Sequence, residues 1–228
     1  FDSNNNNLLD DFEISFDSNS DAAFDLKINN LIYDKNRNGR IDLSEGKLIA
    51  FGGEQAITDN KKLPFLMTFV APVYTPEEAG MITPLTTIYS LVLLNDDFVS
   101  RKSWTSEKVE NWLREAFDIG DFNFKSSNPY STLKQQNNFI NEPYDSKAFN
   151  TFIAHEKIHI ALETLRILID NAFPEFQYDP LKGNVEISTA FSEALLSQES
   201  YRESAKDVNE HINHLISNAS HNTFSILF

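Results

Sequence analysis

The sequence predicts an α+β chain in which a small β-rich module precedes a helical bundle. Three observations carry this reading. Between residues 24 and 72, short alternating or continuous apolar runs are separated by Asn-, Asp- and Gly-rich turns, which is the pattern of strands. From Leu85 onward apolar residues recur at helical spacing,. At the boundary, Thr83-Pro84 offers a capping hydroxyl followed by proline at the first helical position,. The chain therefore divides into a flexible Asn/Asp-rich segment over 1–22, a β-rich module over 23–80 and a helical bundle over 81–228.

The N-terminal segment is rich in Asn, Asp and Ser and carries the tetrad Phe-Asp-Ser-Asn at Phe1 to Asn4 and again at Phe16 to Asn19. It reads as a linker or tail with too little apolar surface to order itself, or as a crude calcium-attracting strip. In the next segment Phe24, Leu26 and Ile28 alternate with polar residues and Leu31 to Tyr33 run apolar, which predicts a strand,.

Twelve residues from Asp34 to Glu45 follow, D-K-N-R-N-G-R-I-D-L-S-E. Asp34, Asn36 and Asn38 stand at loop positions one, three and five, and Gly39 falls at six, where the backbone must turn sharply,. Arg40 at seven contributes only its backbone carbonyl. Ile41 at eight is an apolar anchor, Asp42 sits at nine, and Glu45 at twelve is the bidentate carboxylate,. Ca²⁺ takes six to eight oxygens, and every donor here is oxygen. Asn, Asp and Gly also dominate ordinary turns, but a turn needs neither the apolar anchor nor the terminal Glu. Lys47 to Phe51, ended by Gly52-Gly53, and Leu66 to Pro72 read as further strands,. The ion is thus expected to staple two strands rather than to open a helix pair.

This arrangement resembles a calcium-binding module of large secreted and cell-surface proteins of marine bacteria and cyanobacteria. The resemblance rests on Asp34 to Glu45, Thr58-Asp59, Phe69-Val70-Ala71-Pro72 and the phrase T-P-L-T-T over Thr83 to Thr87, in that order, and covers residues 24 to 95. The turn Asn60-Lys61-Lys62-Leu63-Pro64 departs from the family's Gly-containing turn, which weakens the case for Asp59 as a further ligand and leaves its part in the ion site open. The resemblance implies a calcium-stiffened part of a surface or secreted protein, and not an enzyme.

Composition agrees with an extracellular or cell-surface location. The chain has 228 residues and a formal net charge of −15, which repels nucleic acid and anionic membranes. It has no cysteine, so disulfides, cysteine nucleophiles and cysteine-ligated zinc are excluded. No apolar run is long enough to cross a bilayer,. No signal peptide opens the chain, and Phe1 is not a natural start, so it reads as a fragment or mature piece of something longer,. Nineteen Phe supply large side chains for burial,.

In the second half, Ser106 is expected to cap a helix through Val109, Trp112, Leu113 and Phe117,. The stretch 122–143 reads as irregular with a short helix near Leu133. A long helix should run from Ser146 to Ala172, stopped by Pro174,. Two more are expected over Val185 to Ser197 and Arg202 to Ser217. On the long helix, Ile158, Leu162, Leu165 and Ile169 form one apolar face, and Ile153, Ile160 and Ile167 a second. A polar strip containing His155, Glu156, His159, Glu163, Arg166 and Asp170 is expected to face solvent,.

That strip also contains His155-Glu156-Lys157-Ile158-His159, an H-E-x-x-H string. On a helix its two imidazoles share a face and could bind Zn²⁺, with Glu156 as general base. Lys157 adds a charge inside the motif, no Gly-x-x-His follows, and a Glu ligand would have to be Glu186, Glu193 or Glu199, none of them in a recognisable motif. No G-x-S-x-G phrase or phosphate-binding glycine loop occurs,. Tyr130, Tyr144 and Tyr178 lie in loop-like stretches without forming a recognisable binding platform. The leading expectation is a calcium-rigidified structural or adhesive module whose partners are calcium and other surface or matrix components. A calcium-dependent glycan- or protein-binding domain is not separable from it by sequence. The alternative is a secreted zinc metalloprotease.

Overall fold

The computed structural model describes residues 1–18, 24–52, 54–58, 61–64, 68–75, 78, 80–95, 99, 103–137, 145–172 and 180–197. Its architecture is α+β. A one-turn helix α1 (Asn30–Tyr33) is followed by strands β1 (Leu48–Phe51), β2 (Glu54–Thr58), β3 (Lys61–Pro64) and β4 (Thr68–Ala71). Helices α2 (Pro84–Leu94), α3 (Ser106–Ala116), α4 (Pro129–Asn137), α5 (Ser146–Ala172) and α6 (Pro180–Ser197) complete the described chain. The strands make two antiparallel pairs. β1 lies on β4, with Leu48 opposite Ala71 and Phe51 opposite Thr68, and β2 pairs with β3.

The strand expected before the loop is absent, and α1 stands in its place. The Asn29 side chain accepts a hydrogen bond from Leu31 N at 3.0 Å, so a local cap wins over the apolar run. Leu31 is 96% exposed, and that run buries nothing that a sheet would reward. Tyr33 is the exception. Its ring meets Phe1 edge-on, with centroids 4.9 Å apart.

β4 joins the two halves because successive strand residues face opposite ways. Ala71 packs with Phe1, Ile41 and Leu48 in a small module core. Val70 packs with Leu91 of α2 and Val185 of α6. The T-P-L-T-T phrase locks this joint. Thr83 Oγ1 accepts from Thr86 N at 3.2 Å, and Thr86 Oγ1 accepts from Thr83 N at 2.7 Å, a reciprocal capping box,. Thr87 Oγ1 donates to Thr83 O at 2.8 Å and accepts from Val70 N at 2.9 Å. The first nine residues of α2 are all buried.

The larger core lies among the helices. Leu85, Ile88, Leu113, Ile158, Leu162 and Phe191 are among its fully covered members. α2 packs on β4, α3, α5 and α6, while α4 packs on α5. Two helix starts and one helix face differ from expectation. Thr105, one residue before Ser106, caps α3 by accepting from Lys108 N at 3.3 Å. The second, α6, starts at Pro180, so Gly183 and Asn184 lie inside it, both buried. The third concerns the second apolar face of α5. Its Ile160 is 62% exposed and Ile167 also faces outward. The polar strip is half-buried instead. The helix expected over Arg202 to Ser217 lies outside the described residues, as do Asp59, Tyr144, Tyr178 and Glu199.

Candidate metal site

The loop from Asp34 to Glu45 is built by side chains turning back on their own backbone, the habit of Asn and Asp in turns. Asn36 Oδ1 accepts from Asn38 N at 2.9 Å, and Asn38 Oδ1 accepts from Arg40 N at 3.0 Å. Asp34 reaches across the turn, taking Asn38 N on Oδ1 at 3.1 Å and Gly39 N on Oδ2 at 2.8 Å. Gly39 has φ of 90° and open space where a Cβ would be, so backbone conformation rather than crowding requires glycine,. Ile41 is buried in the module core and anchors the loop beside β1.

Two carboxylates close the structure. Glu45 is only 5% exposed. Its Oε1 accepts from Asn36 N at 2.7 Å and its Oε2 from Asp42 N at 3.0 Å, which ties the last loop position to the third and the ninth. Asp42 Oδ2 accepts from Asn36 Nδ2 at 2.8 Å and Asn38 Nδ2 at 2.7 Å, while Oδ1 takes Arg40 Nε at 2.9 Å. Asp34, Asn36, Asn38, Asp42 and Glu45 are thus drawn into one hydrogen-bonded ring. The Arg40 side chain folds back on Asp42 and leaves its carbonyl as the only donor it would bring to a cation.

The donor set suits a hard cation. Its side-chain donors are three carboxylates and two amide oxygens, and an oxygen that accepts one N–H keeps a second lone pair. Among the described residues no group of three or more His, Cys, Asp or Glu is gathered as a metal cage. In this loop two of the five side-chain donors are Asn, and each carboxylate is engaged by N–H donors.

The N-terminal residues, expected as a flexible tail, lie against this loop. Phe1, Asp2 and Ser3 are buried. Asp2 and Lys47 exchange backbone bonds of 2.9 and 3.0 Å. Asn5 Nδ2 donates to Leu43 O at 3.0 Å. A Cβ on Gly46 would stand 2.4 Å from the Phe1 ring, so glycine makes the seat for that ring. The missed signal is the apolar Phe1 followed by Asp at the spacing of a loop start.

The H-E-x-x-H residues lie on the half-buried side of α5. Burial pushes the His155 imidazole down from 6.5 to about 4, so it is neutral at pH 7,. Its Nε2 is buried without a hydrogen-bond partner among the described residues. The His159 ring meets Phe69 of β4 edge-on, 6.2 Å between centroids. Glu193 accepts from Asn95 Nδ2 at 2.7 Å, and Glu186 pairs with Lys182 at 3.8 Å. The chain matches no protein-family model, no curated protein and no solved structure.

Proposed function

We propose that the chain is a calcium-binding structural or adhesive module of a secreted or cell-surface bacterial protein, rigidified by the ion that Asp34 to Glu45 holds. The observation that carries this reading is Glu45, a buried carboxylate at the last position of an all-oxygen loop, tied to the backbone of Asn36 and Asp42. Asp34, Asn36, Asn38, Asp42 and Glu45 would supply side-chain oxygens and Arg40 its carbonyl. Calcium would meet the carboxylates of Asp34, Asp42 and Glu45 and stiffen the connection between α1 and β1. Its natural setting is the calcium-rich extracellular medium, with other surface or matrix components as partners. Calcium titrated into the chain in a calorimeter should give a binding isotherm that Glu45→Gln weakens by at least about tenfold, since affinity follows ligand charge. Equal isotherms for the two proteins refute the assignment.

A secreted zinc protease is the second reading, favoured by the neutral His155 with its unpartnered Nε2. It requires zinc on His155 and His159 and a water activated by Glu156. In the structural reading Glu156→Gln changes stability by less than about 0.5 kcal/mol, and the unaltered chain cleaves no casein. Casein cleavage under saturating calcium that disappears in Glu156→Gln would establish the protease instead.

A further inference from the structure

We infer that the chain holds a second divalent-cation site, in the loop from Asp2 to Glu13. Written beside the first loop, D-S-N-N-N-N-L-L-D-D-F-E matches D-K-N-R-N-G-R-I-D-L-S-E at positions one, three, five, nine and twelve. These are the five positions from which side chains contribute to a calcium loop. Position eight is apolar in both, as Leu9 and Ile41. Position six is Asn7 in place of Gly39. Asn7 has φ of 61°, a left-handed conformation that Asn tolerates better than most residues,.

The backbone repeats as well as the sequence. Asn7 N donates to Asp2 Oδ2 at 3.0 Å, as Gly39 N does to Asp34. Asn6 N donates to Asn4 Oδ1 at 3.0 Å and Leu8 N to Asn6 Oδ1 at 2.8 Å. Asn4 and Asn6 both donate through Nδ2 to Asp10 Oδ2, at 2.8 and 2.9 Å. Glu13 Oε2 accepts from Asp10 N at 3.2 Å, and Oε1 accepts from Ser3 N at 2.6 Å. These bonds show a loop of the same construction. They do not by themselves show a ligand.

What points to a ligand is Asp2 Oδ1. Asp2 is 2% exposed, and this oxygen is buried with no hydrogen-bond partner among the described residues. Its counterpart in the first loop, Asp34 Oδ1, accepts from Asn38 N. A buried carboxylate oxygen that no donor satisfies is costly, and a bound cation removes that cost. The other oxygen, Oδ2, is taken by Asn7 N and by Lys47 Nζ at 2.6 Å, and Lys47 Nζ also reaches Asn5 Oδ1 at 3.0 Å. Lys47 therefore sits on one limb of the carboxylate and leaves the other open. Asp2, Asp10 and Glu13 carry three carboxylates against two ammonium groups, Lys47 and the Phe1 N-terminus, so the loop keeps a net negative charge that attracts a cation. The ligands would be the side chains of Asp2, Asn4, Asn6, Asp10 and Glu13 with the Leu8 carbonyl.

The inference takes the first loop as its template, so the test separates the two. Native mass spectrometry of the intact chain in millimolar calcium should show two ions per chain, falling to one in Glu13→Gln and to one in Glu45→Gln. Glu13 also ties down Ser3, so Asp10→Asn serves as a gentler variant. It should weaken only the second binding event, by about tenfold. One ion in the wild type that Glu13→Gln and Asp10→Asn both keep overturns the second site and leaves the first intact. One ion lost in Glu13→Gln but kept in Glu45→Gln upholds the second site and removes the first. No ion in the wild type removes both.

Discussion

His155 shows how one side chain can set a pH response. Its imidazole is buried, its Nε2 lacks a partner, and its pKa falls from 6.5 to about 4. Above pH 6.5 both folded and unfolded chains hold it neutral, so it contributes no pH dependence there. Below 6.5 the unfolded chain binds a proton that the folded chain refuses, so stability falls as pH drops towards 4. The loss approaches about 3 kcal/mol once both values are passed. Denaturation midpoints for wild type and His155→Leu, measured at pH 7 and pH 4.5, should diverge in the acidic sample, with the variant losing less. Parallel losses would show that the imidazole titrates normally. At the same scale, Asp2, Glu45 and Lys47 are ionisable groups almost fully removed from water. Each is held by partners near the loop, as buried charge requires.

Among the elements, the joint between β4 and α2 carries the most weight. Thr87 Oγ1 accepts the buried N–H of Val70 while donating to the carbonyl that precedes α2. Thr87→Val keeps the shape and strands the Val70 N–H, while the Thr83 carbonyl keeps its bonds from Thr87 N and Thr86 Oγ1, at a cost of about 1–3 kcal/mol,. Urea unfolding should register it, whereas an unchanged midpoint would mean that the bond contributes nothing. Much at this level was legible. Thr83-Pro84 marked the start of α2, and the stretch from Ser146 to Ala172 is helical over its predicted length. Local capping and helical spacing decide such elements. Elements set by distant contacts were harder to see. The apolar run before the loop became α1 because no strand lies beside it among the described residues. The N-terminal residues read as a tail because their burial depends on Gly46 and Lys47, more than forty positions away. The similarity of their loop to the first was masked by Asn7 standing where glycine is expected. The outward-facing Ile160 and Ile167 could not be told from core residues by spacing, since periodicity gives the face but not what covers it,.

Over the whole molecule, the loop, the sheet and the helices form a connected chain of contacts. Ile41 ties the loop to Leu48 and Ala71, and β4 passes from that module core to Leu91 and Val185. An ion that stiffened the loop would therefore act on β4, which packs on α2 and α6. Among the described residues no helix is long and apolar enough to cross a membrane. The net charge of −15 favours a medium whose cations screen it,. If calcium binds only the folded chain, it adds about 2.7 kcal/mol at a hundredfold excess over its dissociation constant, roughly 5–10 °C in melting temperature. The measurement that tests this most directly is a thermal melt of the intact chain in saturating calcium and in chelator, beside Glu45→Gln. The wild type should gain several degrees from calcium, and the variant should lose the share that the first loop supplies. A wild-type melt indifferent to calcium, or a Glu45→Gln protein that gains as much as the wild type, would contradict the account.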